Sequence, residues 1–300
     1  MNFLIITSSE DVASMNIRDK LLRSESYLFE EIGKKWKGNI TLKLKKFPND
    51  KGKNLLLKNN NIYLGLTDER MIFMNNLELE DTIRDPDFII VASRHASKTA
   101  RPALLTHTTG NWTKNADFGG QPEELSKSSA ILHKAGFLSL LKEVEIELLE
   151  NYVIDIEVTH HGPTNLEKPL IYMELGSSKK EWIDTVAAKV VANAIINTTF
   201  KYIEFRETQN NKVGIGFGGS HYAPNFNRII RSSNIAISFI CPKYFIQNLN
   251  HKFIEQMILN TYEKVDFFII DWKGVNSEDK KYLFPILEQF EIPIRKTKDF

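Results

Sequence analysis

Cysteine is nearly absent from this chain of 300 residues, which contains only Cys241. A single thiol excludes an internal disulfide and a cysteine-rich zinc site, so any metal must be held mainly by histidine, aspartate or glutamate. Because disulfides are rare in reducing compartments, we expect a cytoplasmic protein.

Long hydrophobic runs are also missing, and none approaches the length of a membrane span. The apolar start, Met1–Ile6, is too short for a signal peptide and has no basic region before it. With 42% hydrophobic residues and a net charge of +1, the composition is not that of a disordered chain. The sequence therefore predicts a soluble globular protein without a membrane partner.

Positive charge is concentrated in the range Lys34–Lys53, which holds eight lysines and a single acidic residue. Within it, Lys43 and Lys45 alternate with leucines, which predicts a strand with one lysine-bearing face. Such a strand is either an edge strand protected by lysine or a stripe that contacts nucleic-acid phosphates. The acidic stretch Glu143–Glu157 is expected to face away from such a partner.

Apolar runs rich in β-branched and aromatic residues predict strands. These are Phe3–Thr7, Ile40–Leu44, Asp87–Ala92, Tyr152–Val158, Leu170–Glu174, Val213–Phe217, Ile235–Ile240, Val265–Ile270 and Ile292–Arg295. Several runs are continuously apolar, which is typical of strands covered on both faces. Helices are predicted at Asp11–Leu22, Glu123–Leu141, Glu181–Thr198, Tyr244–Tyr262 and Ser277–Phe290. The expected fold is α/β, with a mainly parallel or mixed central sheet and helices on both faces.

We expect one α/β domain over residues 1–300, with a lysine-rich insertion around 34–76 and a βαβαβ part around 235–300 whose strands share one sheet. The range Ile62–Asn76 is interpreted as a hairpin or insertion. A capping box, Ser178–Glu181, precedes the clearest amphipathic helix.

The first polar segment directly follows a predicted strand and contains Ser93, Arg94, His95, Lys98 and Arg101. Ligands of α/β sheets bind beyond the carboxyl ends of strands. A solvated loop is the alternative, but this dense mixture of cations, hydroxyls and imidazole favours a functional site.

A second segment combines hydroxyls, imidazole and indole in Thr106, His107, Thr108, Asn111 and Trp112. This combination suits hydrogen bonding together with stacking on a base. It opens a long loop without predicted structure, which is itself a sign of function, although His107 could simply cap a turn.

In the third segment, His160 and His161 follow a predicted strand, where adjacent side chains point to opposite faces. They can share a ligand only if the chain turns, and Gly162-Pro163 supplies a turn. Glu174 ends the next strand and is a candidate metal ligand, general base or favourable charge at a helix N-terminus.

The fourth segment runs through Gly218, Gly219, Ser220, His221 and Tyr222. A match to G-x-G-x-x-G overlaps it, but the match lies on the predicted strand itself and is weak. We expect the two glycines to allow close backbone approach, with their N–H groups as an oxyanion hole. A tight turn with a surface histidine is the simpler alternative.

Recognised motifs such as G-x-S-x-G and H-E-x-x-H are absent from the sequence. Histidine segments at several strand ends indicate hydrolysis by an activated water, with or without zinc.

Taken together, the segments resemble the D-aminoacyl-tRNA deacylases of the archaeal and plant type. The matching stretches are Ser93–His95, Leu105–Trp112, Glu157–Pro163, Glu174–Ser178 and Gly216–Tyr222. The resemblance implies cleavage of the ester between a D-amino acid and the 3′ end of tRNA, which serves D-amino acid detoxification and translation quality control. It also implies zinc and a fold similar to peptidyl-tRNA hydrolase.

The roles expected under this resemblance can be assigned by residue. The catalytic candidates are His95, His107, His160, Glu174 and His221, and the metal candidates are His160, His161, Glu174 and His221. Phosphates would be bound by Arg94, Lys98 and Arg101, and the terminal adenine by Trp112. The substrate-binding set also contains Ser93, Thr106, Thr108, Asn111, Gly218, Gly219, Ser220 and Tyr222. We expect steric rejection of L side chains and a monomer that acts on the 3′ acceptor end of aminoacyl-tRNA.

Two other functions remain open at this point. One is a metal-dependent hydrolase or nucleoside-processing enzyme that acts on a small molecule, because a fold does not fix its substrate. The other is a module that binds tRNA without catalysing a reaction.

Overall fold

The computed structural model describes residues 1–79, 83 and 85–300. Its strands are β1 (Asn2–Ser8), β2 (Leu28–Trp36), β3 (Asn39–Lys46), β4 (Asn61–Thr67), β5 (Phe88–Arg94), β6 (Ala103–His107), β7 (Val153–Ile156), β8 (Leu170–Gly176), β9 (Lys212–Phe217), β10 (Ile235–Cys241), β11 (Phe267–Ile270) and β12 (Ile294–Lys296). Its helices are α1 (Val12–Leu22), α2 (Lys51–Leu57), α3 (Ala130–Ile146), α4 (Lys179–Trp182), α5 (Thr185–Thr208), α6 (Pro224–Ser232), α7 (His251–Leu259) and α8 (Ser277–Leu287). Within the described residues, no helix has both the length and the hydrophobicity of a membrane span.

The larger of two sheets has eight strands in the order β2-β3-β4-β1-β5-β8-β6-β7. Its centre is parallel, because β1 pairs in parallel with β4 and β5, and β5 with β8. Strand β6 runs antiparallel to β8, and β2 and β3 form an antiparallel hairpin. The prediction of an α/β fold with a mixed central sheet is therefore confirmed.

The second sheet has four parallel strands in the order β10-β9-β11-β12. Strands β10, β11 and β12 of the predicted C-terminal βαβαβ part lie in this sheet, and β9 is inserted between β10 and β11. Helices α7 and α8 pack on one face of this sheet, and α6 packs on the other.

Alternate residues of the central strands enter two different cores. Phe3 and Ile5 of β1 pack with residues of α1, α3 and α5. Leu4 and Ile6 point to the other face, where the segment Met71–Leu77 contributes buried side chains. Burial on both faces explains why these strands are apolar without a break.

The two sheets are joined directly after β7. The Val158 N–H donates to the His221 carbonyl at 2.9 Å, and the Thr159 N–H donates to the Ile240 carbonyl at 3.0 Å. The Ile240 N–H returns a hydrogen bond to Thr159 Oγ1 at 3.1 Å. These bonds hold the loop after β7 against the ends of β9 and β10, so the polar segments of both sheets meet at one edge.

Three predicted helices have different boundaries. Ser129 is the N-cap of α3 and its hydroxyl accepts from the Leu132 N–H, so the helix does not begin at Glu123. The capping box at Ser178 is present but starts only the short α4, and the Asp184 carboxylate caps α5 anew. The predicted helix Tyr244–Tyr262 is divided, because Asn250 is the N-cap of α7 and a 3₁₀ turn precedes it.

The expectations for the lysine-rich region are partly wrong. No hairpin forms at Ile62–Asn76, because β4 pairs in parallel with β1 and is followed by a single 3₁₀ turn. Strand β3 is not an edge strand, since it lies between β2 and β4. Lys45 lies 3.7 Å from Glu30, and Lys37 lies 2.6 Å from Glu69.

Candidate active site

Three strands of the larger sheet bring polar side chains together at one edge. Ser93, near the end of β5, is in register with Glu174 on the neighbouring β8. His107 ends β6 and is in register with Tyr172 on the other side of β8. His95 follows β5 directly, so the first and second polar segments and Glu174 share one site.

Glu174 is buried among hydrogen-bond donors and imidazoles. The Ser93 hydroxyl donates to Glu174 Oε1 at 2.7 Å. His95 Nδ1 lies 3.4 Å from Oε2, and His107 Nε2 lies 3.5 Å from Oε1. Burial opposes the charge of Glu174, but the two imidazoles outweigh burial and hold the pKa of Glu174 well below its usual value. Burial likewise opposes the charge of His95 and His107, and Glu174 nevertheless raises the pKa of both.

Glu157, at the end of the acidic stretch that we expected to face away from a nucleic-acid partner, forms a second buried carboxylate. Its Oε1 lies 2.8 Å from His221 Nε2, and its Oε2 lies 3.5 Å from His95 Nδ1. Neither oxygen has a hydrogen bond within the described part of the chain. Glu157 is thus held beside two imidazoles, with Oε1 in close contact with His221 and Oε2 at the longer distance from His95.

The turn that His160 and His161 need in order to share a site is present. His161 has a φ of 42°, in the left-handed region, and the two ring centroids are 4.5 Å apart. Gly162 fits against the neighbouring loop because a Cβ there would lie 2.2 Å from the Gly120 nitrogen. Strand alternation therefore does not separate this histidine pair.

The histidines are oriented by backbone carbonyls. The Nδ1 atom of His160 lies 2.8 Å from the Val158 carbonyl, and that of His161 lies 2.6 Å from the Gly162 carbonyl. The Nδ1 atom of His107 lies 3.1 Å from the Thr108 carbonyl. A carbonyl can only accept, so these contacts place the proton on Nδ1 and leave Nε2 free in a neutral ring. Burial lowers the pKa of His160 and brings that of His161 to about 4, which keeps both rings neutral.

Three overlapping groups could hold a metal ion, with one ligand atom of each member within 4.8 Å of the others. They are His107, His160 and His161; Glu157, His160 and His221; and His95, Glu157 and Glu174. Imidazoles fixed through Nδ1, and a buried His107 Nε2 that has no hydrogen bond among the described residues and lies 3.5 Å from Glu174 Oε1, fit a zinc site. Glu174 does not group with His160, His161 and His221, so the predicted four-residue ligand set is not one cluster among the described residues.

A cavity of about 720 Å³ opens above these groups. Its wall contains residues of all four polar segments and of three segments that the sequence did not single out. It is lined by Ser8, Glu10, Asp11, Arg70, Met71, Ile72, Ser93, Arg94, His95, Ala96, Gly110, Asn111, Trp112, Thr113, Asn115, Phe118, His160, His161, Tyr172, Glu174, His221 and Phe245.

Several residues of the expected substrate-binding set do not line this cavity. Thr106 and Thr108 are buried in the interior, and Lys98, Arg101 and Ser220 are exposed outside it. Tyr222 also lies outside the lining, although its ring is 5.3 Å from that of His221.

The expected oxyanion hole is not available at Gly218, because its N–H donates to the Cys241 carbonyl at 2.8 Å. Gly218 and Gly219 instead pack closely on the loop after β11. A Cβ on Gly218 would lie 2.4 Å from Val275 Cγ2, and one on Gly219 would lie 3.3 Å from Asp271 Oδ2.

Trp112 is not the exposed stacking surface that we expected. It is 2% exposed, and its indole N–H donates to the Thr159 carbonyl at 2.7 Å. Its ring packs near Phe253 in the core of the second sheet. Trp112 therefore supports the cavity wall and offers no free ring face to a base.

Phe118 offers such a face, since it lines the cavity and is 68% exposed. The loop that carries it is ordered by the Asn111 amide, which donates to the carbonyls of Gly119 at 2.8 Å and Gln121 at 3.0 Å. Gly119 lies so close to the backbone of Ile72 that a Cβ on Gly119 would be 1.7 Å from the Ile72 carbonyl oxygen. A lone phenylalanine in a polar loop was the sequence signal that could have identified this position.

Two further residues were missed by the sequence reasoning. Tyr172 is buried, its ring lies 5.2 Å from that of His107, and its hydroxyl has no partner among the described residues. The Asp11 carboxylate accepts from the backbone N–H groups of Ser14 and Arg94, both at 3.0 Å, and joins helix α1 to the first polar segment. Asp11 ends the polar run Thr7–Asp11 at the end of β1, which was a sequence signal of the same kind as the four segments, whereas Tyr172 stands within an apolar strand and carried no such signal.

Comparisons with known proteins place the chain in one family. A family model described as D-aminoacyl-tRNA deacylase matches residues 82–295. The D-aminoacyl-tRNA deacylase of Thermococcus onnurineus is 37% identical, over 95% of this chain and 96% of that protein. The Methanococcus vannielii protein of the same name is 30% identical, over 99% of this chain and 100% of that protein.

A solved structure shows the same architecture. The crystal structure of AF0625, a conserved protein of unknown function, superposes with a TM-score of 0.80 at 30% sequence identity. The match covers 100% of this chain and 96% of AF0625. From the matched residues and the near full-length relatives, this chain is a member of the D-aminoacyl-tRNA deacylase family.

Proposed function

We propose that the cavity is the site at which this protein hydrolyses the ester between a D-amino acid and the 3′ end of tRNA. The reaction is the one for which its relatives are named. The observation that carries the proposal is the cluster of five imidazoles and two buried carboxylates at one edge of the sheet. A family member with such a cluster has the groups that ester hydrolysis by water requires.

His221 with Glu157 is the candidate general base. The buried carboxylate beside His221 Nε2 favours a proton on that nitrogen, which leaves Nδ1, 3.4 Å from the Tyr244 hydroxyl, as the acceptor. His221 lines the cavity, and its side chain is 38% exposed, so a water molecule can reach it. In the proposed reaction, water attacks the ester carbonyl carbon as His221 takes its proton. The same proton then passes to the departing 3′ oxygen of the terminal ribose, which yields free tRNA and the D-amino acid.

His95 is the candidate for stabilising the oxyanion that forms. Its Nδ1 faces Glu157 and Glu174, and its buried Nε2 has no partner among the described residues. The raised pKa keeps the ring protonated to higher pH than an ordinary histidine. A charged donor in a buried site stabilises developing negative charge strongly.

His107, His160 and His161 are the residues that would hold zinc. When bound, zinc would polarise the ester carbonyl or lower the pKa of a water molecule. Because Glu174 raises the pKa of His107 against the opposing effect of burial, a cation at this ring would compete with a proton. The neutral rings of His160 and His161 present no such competition.

The terminal adenosine fits the outer part of the cavity, where Phe118 offers an exposed ring. Arg94 and Arg70 also line the cavity and are available to its phosphate. Their guanidinium groups lie 5.2 Å from the Trp182 ring and 4.9 Å from the Phe73 ring, so both are held by aromatic contacts. We propose that the cavity wall excludes the side chain of an L-amino acid by contact.

Replacing the proposed base tests these roles. We expect His221→Ala to lower kcat by about 100-fold or more, because a positioned general base contributes at least that factor. Glu157→Gln should cause a smaller loss and shift the pH profile of kcat, since the amide cannot stabilise an imidazolium. Ser220→Ala, at the exposed neighbouring position, is the control and should keep full activity. Full activity of His221→Ala on D-aminoacyl-tRNA would exclude His221 as the base.

A further inference from the structure

An aromatic and basic surface lies on the same edge of the second sheet as the active site. Trp272 and Lys273 follow β11, whose last residue Ile270 is in register with Phe217 at the end of β9. Strand β9 leads directly into the loop that carries His221. We call Trp272, Lys273, Lys280 and Lys296 the Trp272 patch.

The patch concentrates positive charge around one exposed ring. Trp272 is 37% exposed, with Lys280 Nζ 4.4 Å and Lys296 Nζ 4.0 Å from its ring centroid. Phe284 packs on the indole edge at 6.0 Å. Among the ion pairs of the described residues, none involves the three lysines of the patch. Two ammonium groups near one ring repel each other, and a bound anion would relieve that repulsion.

The patch is also firmly connected to the active-site loop. A Cβ on Gly274 would lie 2.3 Å from Asp271 Oδ2 and 2.8 Å from the Gly219 nitrogen, so the two loops touch through their backbones. The Asp271 carboxylate accepts from the Asn225 amide at 2.9 Å, which ties the loop after β11 to α6. A ligand held by the patch is therefore fixed relative to His221.

We propose that the Trp272 patch binds the sugar–phosphate backbone of the tRNA substrate outside the 3′-terminal residues that enter the cavity. This inference rests on the proposed function for the identity of the polyanion. Lysines bind backbone phosphates, and an exposed indole stacks on an unpaired base or a ribose. The lysines of the β3 region are less suitable, because Lys37 and Lys45 already have acidic partners.

Binding of uncharged tRNA tests the patch without requiring hydrolysis. We expect Lys280→Ala/Lys296→Ala to weaken tRNA binding about tenfold at low salt and to reduce the slope of log K against log salt by about two. Lys51→Ala/Lys58→Ala removes the same charge from exposed positions near α2 and should leave binding and slope unchanged. Lys273→Ala, at an exposed position, should have a smaller effect in the same direction without disturbing the core.

Kinetics then separate the patch from the catalytic site. With D-aminoacyl-tRNA, the double variant should show a higher KM and an unchanged kcat. With the D-aminoacyl ester of a CCA trinucleotide, it should equal the wild type. Affinity and salt slope equal to those of the control variant, or an equal loss on both substrates, would overturn the proposal. If the wild type binds tRNA through the patch but hydrolyses no D-ester, the patch is supported and the proposed function is contradicted.

Discussion

The two buried glutamates of the candidate active site differ in their hydrogen-bond partners, and this difference separates the roles that we propose for them. Glu174 accepts from the Ser93 hydroxyl and lies near His95 and His107. Glu157 has no hydrogen bond among the described residues and lies near His221 and His95. Glu174 is therefore suited to fixing His95 and His107, whereas Glu157 is suited to orienting His221 and has Oε2 farther from its neighbour.

At the residue scale, stacking on Phe118 makes a first prediction. Phe118→Ala should raise KM for D-aminoacyl-tRNA about tenfold, because stacking of a base on an aromatic side chain contributes about 1–3 kcal/mol. The value of kcat should stay the same, since the ring lies in the outer cavity. Phe118→Tyr should restore KM, and Leu148→Ala, at an exposed apolar position outside the cavity, should have no effect. An unchanged KM in Phe118→Ala would exclude the ring as the platform.

Metal removal gives a second prediction for the three-histidine group. Dialysis against a chelator should remove zinc and abolish deacylation, and added zinc should restore both. His161→Ala should retain less zinc than the wild type when metal content is measured on folded protein, because one ligand is missing. Full activity in protein shown to be metal-free would remove zinc from the reaction.

The chemically important residue types could be identified from the sequence, but their arrangement could not. His95, His107, His160, His161 and His221 were all singled out, and the structure brings them together. Trp112 was misjudged, because a sequence does not show whether an indole faces a cavity or the core. The pairing of Glu157 with His221 depends on hydrogen bonds between the two sheets, which local patterns do not encode.

At the scale of elements, the buried parallel strands were the most predictable. Continuous apolar runs such as Phe3–Thr7 and Asp87–Ala92 have few alternatives, and both form strands of the larger sheet. Helix boundaries were less predictable where capping residues compete. Ser129 and Asp184 each start a helix that periodicity alone placed elsewhere, because a side-chain cap and not the apolar stripe determines the first turn.

The hairpin of β2 and β3 was half predicted. Only β3 was expected, because lysines and leucines alternate in it, whereas β2 has as many charged as apolar residues and no regular alternation. The pairing of β2 with β3 is directed by the turn between them, where Lys37 and Gly38 both have a positive φ. Such a turn specifies an antiparallel partner that hydrophobicity does not indicate.

Strand β7 makes a prediction about stability and pH. Burial raises the pKa of Asp155 to about 6, opposed by Arg101, and the Asn227 amide donates to its carboxylate at 2.8 Å. The folded protein therefore binds more protons than the unfolded chain between the ordinary value of 3.8 and about 6, so stability falls as pH rises through this range.

Asp155→Asn keeps the hydrogen-bond acceptor and removes the charge. Its melting temperature should exceed that of the wild type at about pH 7.5, and the difference should vanish near pH 4, where the folded wild type is already protonated. Glu150→Gln, at an exposed position, should show no such pH-dependent difference. A gain of equal size at both pH values would contradict the assigned cause.

At the scale of the whole molecule, the candidate active site is formed where the two sheets meet. The larger sheet supplies His95, His107 and Glu174, and the second sheet supplies His221. The hydrogen bond from Val158 to the His221 carbonyl holds the two contributions together. Residues separated by more than one hundred positions in the chain thus form one site, which is why single motifs predicted a reaction class and only their combination indicated a family.

The most direct test of the central claim compares matched D- and L-aminoacyl-tRNAs carrying the same amino acid. Loss of the ester is followed with wild-type protein and with His221→Ala. We expect rapid loss of the D-ester with the wild type, a strongly reduced rate with His221→Ala, and no loss of the L-ester above the uncatalysed rate. Equal hydrolysis of both esters, or a D-ester rate unaffected by His221→Ala, would contradict D-specific deacylation in this cavity.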